Sequence, residues 1–166
     1  VPQMEGIKGK LPLLAVCYGA QYLAKWGGGR VQQSKIREYG RANLSFIDSS
    51  NPLMKDVPMG SQVWMSHGDT IEALPAGYKT ICSTENVQFA GYQIEGEQTY
   101  AIQFHPEVHH SVDGPTMLRN FVVGICGCRQ EWTPESFIET TVKELREKVG
   151  GDKVVLGLSG GVDSTV

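Results

Sequence analysis

The sequence predicts an α/β protein: a mixed-sheet domain over residues 1–128, then the opening of a second α/β unit over 129–166. Three observations predict it. A short apolar run, Leu11 to Val16, passes through a tight turn into a helix, the first half of a βαβ unit. β-rich stretches separated by turn residues fill 31–104. A capped helix, another apolar run and a Gly-rich loop follow at 133–166.

Leu-Pro-Leu-Leu-Ala-Val at 11–16 is continuously apolar, as suits a strand buried on both faces. Cys17-Tyr18-Gly19 reads as the turn, and Ala20 to Trp26 as a helix stopped by Gly27-Gly28-Gly29. Strands are expected around 43–47, 61–65, 78–82, 87–94 and 99–104. They are separated by Asn51-Pro52, His67-Gly68-Asp69, Pro75-Ala76-Gly77 and Glu95-Gly96-Glu97. Gly96 between two β-rich runs indicates a hairpin, so this middle is antiparallel or mixed. Residues 114–126 take helical period, with Met117, Leu118, Phe121, Val122 and Ile125 on one stripe. The stretch Gly127 to Trp132 is the expected domain boundary. Thr133 is a good N-cap, Pro134 suits the first helical position and Glu135 suits the positive dipole end. The stripe Phe137, Ile138, Thr141, Val142 and Leu145 runs to Gly150-Gly151, and Lys153 to Leu158 reads as a strand entering the loop Ser159 to Thr165.

Composition narrows the function classes. Apolar residues are 40% and charged residues 20% of 166, which excludes disorder, collagen and coiled coil. A net charge of −3 gives no basic footprint for nucleic acid or an anionic membrane. No apolar run nears the ~20 residues of a membrane helix, and no signal-peptide pattern is visible. Four cysteines are too few for a disulfide scaffold. Cys126 and Cys128 lack the second half of a zinc site and read as helix-end residues, so no metal site is expected. A reduced, cytoplasmic setting is the simplest reading. Val1 is not Met and Val166 lies inside a motif, so both ends read as cuts through a longer chain. His109-His110 reads as exposed loop polarity, Trp26, Trp64 and Trp132 as packing, and Lys143–Lys148 as a solvated face.

Cys17 carries the chemistry. Between a buried strand and a helix, with Ala15 and Gly19 beside it, it suits a strained nucleophile elbow. The helix N-terminus would lower its thiol pKa, and the Tyr18 N–H would face a developing oxyanion. A nucleophilic cysteine needs a base and an orienting group. His105 follows the apolar strand 99–104, where sites collect in α/β sheets, and Pro106 holds Glu107 two residues on.

Cys17-Tyr18-Gly19-Ala20-Gln21 with His105-Pro106-Glu107 resembles the class I (triad) glutamine amidotransferase family. Met65-Ser66-His67-Gly68-Asp69 and the Ser159–Thr165 loop narrow the resemblance to its glutamine-hydrolysing GMP synthases. It implies a flavodoxin-like amidotransferase domain with a mixed or parallel sheet, truncated at its N-terminus. The first helix, strand and loop of an adenine nucleotide α-hydrolase-like, ATP pyrophosphatase domain would follow. Cys17 would form a glutamyl thioester, His105 would act as base then acid, and Glu107 would hold the imidazole. Tyr18, Gly19, Gln21, Ser66 and His67 match oxyanion or glutamine-binding positions, and Asp69 the end of that loop. Ser159, Gly160, Gly161, Val162, Asp163, Ser164 and Thr165 match a pyrophosphate loop for ATP; without a lysine it is not the GxxxxGK[ST] loop.

The amidotransferase domain would need no cofactor, and the full enzyme would take Mg-ATP, XMP and glutamine as substrates. It would pair as a homodimer through a C-terminal part, with no nucleic acid or membrane partner. Two departures stand out: Ala15 occupies a position the family usually gives to glycine, and Gly6-Ile7-Lys8-Gly9 does not match the upstream Gly-rich loop that supplies a second oxyanion donor. Three readings compete: an amidotransferase for another acceptor such as anthranilate or carbamoyl phosphate, a γ-glutamyl hydrolase, and a catalytically incomplete fragment serving only as a binding or interaction module.

Overall fold

Leu13–Val16 forms β1, and its apolar residues meet two cores, one on each side of the sheet. The computed structural model describes residues 6–131, 133–157 and 160–161, with the side chains of 34–38 excepted. It divides into two units, Val1–Cys128 and Arg129–Val166.

In the first unit, α1 (Tyr18–Trp26) follows β1 after the single residue Cys17. The helix starts two residues earlier than the sequence suggests, because one strained residue makes the whole turn. Next come β2 (Arg30–Ile47), β3 (Gln62–Ala73), β4 (Tyr78–Thr84), β5 (Gly91–Ile94) and β6 (Thr99–Ile102). Among the described residues the sheet order is β1-β6-β5-β4-β2-β3. β1 and β6 are parallel, with Leu13 opposite Thr99 and Val16 opposite Ile102. The other pairings are antiparallel, so the sheet is mixed. Gly96 sits at φ 77° in the β5–β6 hairpin, where a Cβ would be strained.

Alternation along β6 explains why both faces are apolar. Tyr100 and Ile102 enter a core with Leu44, Met54, Met65, Phe104 and Met117. Ala101 faces the other way, toward Ala15, Leu23, Ala24 and Tyr92. A strand sandwiched this way reads as continuous hydrophobicity.

Four further expectations for the first unit need correction. Residues 30–42, rich in charge and without clean alternation, are strand, because β2 leaves the main sheet to pair with β3 as a half-exposed ribbon. His67-Gly68-Asp69 is not a turn: His67 pairs with Glu38 and Asp69 with Gln33 across a register shift, and β3 runs through. The expected strand 87–94 shortens to Gly91–Ile94. Residues 114–126 divide into α2 (Gly114–Arg119) and a π-helical turn, Asn120–Ile125. Met117 is buried and Phe121 and Ile125 pack on the core, while Val122 faces outward, because the wider π turn rotates the stripe.

In the second unit, α3 spans Pro134–Val149. Thr133 and Ser136 form a reciprocal capping box, and Gly150 ends the helix at φ 58°. Its apolar stripe stays exposed within this unit: Ile138, Val142 and Leu145 are 40–59% accessible. Lys153–Gly157 is not a strand: Val154, Val155 and Leu156 are exposed, and among the described residues no second strand offers a ladder. Leu158 and Trp132 lie outside the described residues.

Gly114 joins α2 to the His105–Glu107 turn. A Cβ there would fall on the Pro106 carbonyl oxygen, and backbone on both sides has little room to yield. Gly114→Ala is expected to destabilise the protein by about 1–3 kcal/mol in chemical denaturation; a midpoint matching wild type would contradict this packing.

Candidate active site

Cys17 leaves β1 at φ 51°, ψ −106° and forms the N-cap of α1. A residue with a Cβ reaches this region only where its surroundings over-determine it. Here the Cys17 N–H donates to the Ile102 carbonyl at 2.8 Å, and its own carbonyl accepts from the Gln21 N–H at 3.2 Å. The turn tolerates Ala15 because residue 19 is glycine: a Cβ at Gly19 would stand 3.3 Å from that of Ala15.

The His105–Glu107 turn follows β6, the neighbour of β1, so both groups stand at the same sheet edge. His105 Nδ1 and Glu107 Oε1 are 2.6 Å apart. A neutral imidazole donating from Nδ1 leaves the Nε2 lone pair to act as a base. The His105 side chain is 25% accessible and that of Glu107 53%.

One edge of β3 holds these elements. Its Gln62, Trp64 and Ser66 carbonyls accept from the Val112 N–H at 3.0 Å, the His105 N–H at 3.0 Å and the Cys17 thiol at 3.8 Å. Alternate residues of a strand point their carbonyls to one side, and the other side of β3 is paired with β2. The strand expected at 61–65 thus runs on through Ser66 as a rail that carries both Cys17 and His105.

Burial pushes the Cys17 thiol above its ordinary pKa. The Tyr18 N–H, which donates to the sulfur, opposes this, and the Glu107 carboxylate adds to it. The helix N-terminus does act to lower the thiol pKa, through the Tyr18 amide, but desolvation outweighs that amide and the net shift is upward rather than downward.

Gln21 is buried, and its side-chain amide donates to the Asp69 carbonyl at 2.8 Å and to Gln103 Oε1 at 3.3 Å. It ties α1 to β3 and to the end of β6. Tyr18, Gln21, Tyr22, Lys25, Gln32 and Asp69 help line a cavity of about 190 Å³ beside the elbow. Ser66 is exposed and His67 buried, on opposite faces of β3. The structure therefore gathers Cys17, Tyr18, Gly19, Gln21, Ser66, His105 and Glu107 around one sheet edge. Gly160, at φ 78°, and Gly161 form a bend in the second unit; Ser159 and Val162, Asp163, Ser164 and Thr165 lie outside the described residues. Among the described residues no cluster of three or more His, Cys, Asp or Glu is arranged to hold a metal ion, and no helix is long and apolar enough to cross a membrane.

Sequence reasoning missed Gln103, fully buried between β6 and His105; its signal is one polar side chain inside an apolar run. It also missed Ser111, whose hydroxyl contacts are invisible in a pattern. His110, read as loop polarity, packs its ring against Trp64 at a tilt, with centroids 4.4 Å apart. Desolvation, His109 and Arg41 together lower its pKa.

Residues 3–125 match the family described as glutamine amidotransferase class-I. The chain belongs to the class-I glutamine amidotransferases. Among solved structures, this amidotransferase fold is similar to that of a GMP synthase subunit from Thermoplasma acidophilum. That match has TM-score 0.66 and 33% identity, covering 79% of this chain and 61% of the other. A glutamine amidotransferase of Thermotoga maritima gives TM-score 0.54 and 26% identity, covering 83% and 56%. The glutamine-hydrolysing GMP synthase of Bacteroides fragilis is 61% identical over 163 residues, and that of Cytophaga hutchinsonii 60% over 157. These matches cover 98% and 95% of this chain but 32% and 31% of the relatives, so the amidotransferase chain spans about a third of their length.

The raised thiol pKa gives a pH expectation. A group whose charged form is disfavoured ionises later, so Cys17 alkylation by iodoacetamide should accelerate with a midpoint above the ordinary cysteine range, about 8.5. A midpoint at or below that range would contradict the desolvation argument.

Proposed function

We propose that this chain is the glutaminase part of a GMP synthase, cleaving glutamine through Cys17, His105 and Glu107 and supplying ammonia to aminate adenylated XMP. The observation that carries it is the 2.6 Å His105–Glu107 pair and a strained Cys17, both placed just beyond the carboxyl ends of adjacent parallel strands. The relatives support this acceptor: the family match stops at residue 125, yet the similarity to a GMP synthase runs over 163 residues.

In this reading His105 Nε2 takes the Cys17 proton as sulfur attacks the glutamine side-chain carbonyl carbon. The Tyr18 N–H, already aimed at the sulfur, supplies oxyanion stabilisation. His105 returns the proton to the departing nitrogen, the C–N bond breaks, and ammonia leaves a glutamyl thioester. Water, deprotonated by His105, attacks the thioester and releases glutamate and the thiol. Glu107 holds the Nδ1–H and stabilises the imidazolium without taking the proton. Because burial disfavours the thiolate and the thiol donates to the Ser66 carbonyl, in this reading proton transfer accompanies substrate arrival.

Residues 129–166 are then the start of an ATP pyrophosphatase domain, with Ser159–Thr165 gripping the leaving pyrophosphate of ATP at a helix N-terminus. The whole protein would turn XMP, ATP, glutamine and water into GMP, AMP, pyrophosphate and glutamate. Mg²⁺ would accompany ATP as substrate, two copies would pair through a more C-terminal region, and the setting would be the cytoplasm.

In the full-length protein, Cys17→Ala is expected to abolish glutamine-dependent GMP formation by several orders of magnitude while sparing the ammonia-dependent reaction. Glutamine-dependent turnover near wild type would refute the assignment. His105→Ala added to Cys17→Ala should cost little more, since groups of one relay are strongly non-additive. Multiplying penalties would mean independent roles.

A further inference from the structure

Ser111 lies six residues beyond His105 and is 1% accessible. Its hydroxyl accepts from the Trp64 N–H at 3.0 Å and donates to the His105 carbonyl at 2.5 Å. The His105 N–H in turn donates to the Trp64 carbonyl at 3.0 Å. In a regular bridge, two facing residues exchange both N–H···O bonds directly. Here one bond is direct, and the other passes through the Ser111 oxygen, inserted between the Trp64 N–H and the His105 C=O. Both backbone groups of His105 are therefore tied to one residue of β3. Two residues along the same edge, the Ser66 carbonyl receives the Cys17 thiol.

We propose that Ser111 is a positioning residue for the glutaminase reaction, setting the His105 backbone against the β3 edge that also receives Cys17. The proposal rests on the reading of His105 as base. The chemistry requires a hydroxyl: one group must accept and donate at once, and alanine does neither. Removing it leaves the part-buried Trp64 N–H and His105 C=O without this partner, so the His105 turn relaxes away from β3. Small misplacements of a base cost rate without weakening ground-state binding. A neighbouring bond gives a contrast. Ser61 Oγ donates to Asp113 Oδ2 at 2.5 Å, which fastens the same segment without touching His105.

The test is steady-state glutamine hydrolysis by the full-length protein carrying Ser111→Ala, Ser111→Thr or Ser61→Ala. Ser111→Ala is expected to lower kcat about 10–100-fold with KM within about twofold and the ammonia-dependent reaction unchanged. Ser111→Thr, which keeps the hydroxyl, should recover most of the loss, and Ser61→Ala should stay within about threefold of wild type. If Ser111→Ala does not fold, Ser111→Cys, with its weak donor and acceptor, should show the same loss of kcat with KM kept. Ser111→Ala turning over at the wild-type rate, or losing no more than Ser61→Ala, would overturn the proposal. So would a loss in KM alone. Wild-type protein releasing no ammonia from glutamine would instead refute the glutaminase reading, which separates the two failures.

Discussion

The parallel pairing of β1 with β6 is the constraint on which the site depends. Four residue pairs, Leu13–Thr99 to Val16–Ile102, bring together two segments separated by more than eighty positions. Parallel strands place their carboxyl ends at the same edge. The residue leaving β1 and the turn leaving β6 are therefore neighbours by topology, and the backbone continues the pairing one step further, from the Cys17 N–H to the Ile102 carbonyl. That bond is also part of what holds Cys17 at positive φ.

Around this pair the protein uses rigid elements. α1 locks the elbow from one side through Gln21, whose buried amide reaches both Asp69 and Gln103. β3 locks it from the other, giving alternate carbonyls to Val112, His105 and Cys17. Buried amides with partners are strongly specifying, since each unmet group costs about 1–3 kcal/mol. The strain at Cys17 persists because three elements fix it at once. Desolvation by the same packing raises the thiol pKa, so the arrangement that orients Cys17 also disfavours its thiolate.

Much of the candidate site was legible in the sequence because it consists of contiguous motifs. The apolar strand before Cys17, the small residues Ala15 and Gly19, and His105-Pro106-Glu107 after another apolar strand are local signals. So are Thr133, Pro134 and Gly150 at the ends of α3. What stayed hidden depends on partners distant in sequence. The charged stretch of β2 is strand only because β3 pairs with it, and His67-Gly68-Asp69 reads as a turn until that ribbon is seen. Ser111 looks like any loop serine, because its role is written in two backbone atoms of other residues. In the opposite direction, Lys153–Gly157 has strand composition and no ladder among the described residues, since propensity alone does not make a strand. The thiol pKa was misjudged for a similar reason: the helix end is visible in sequence, the desolvation is not.

The central claim is that Cys17 alone among the four cysteines is the nucleophile toward glutamine. Cys82 is buried, Cys126 half-buried and Cys128 exposed, so simple accessibility favours Cys128. The direct measurement is peptide mass mapping after treating the protein with a glutamine analogue bearing a γ-diazoketone, with and without excess glutamine. The account predicts one adduct, on Cys17, suppressed by glutamine. An adduct first on Cys128 or Cys126, or a Cys17 adduct that glutamine does not suppress, would contradict it.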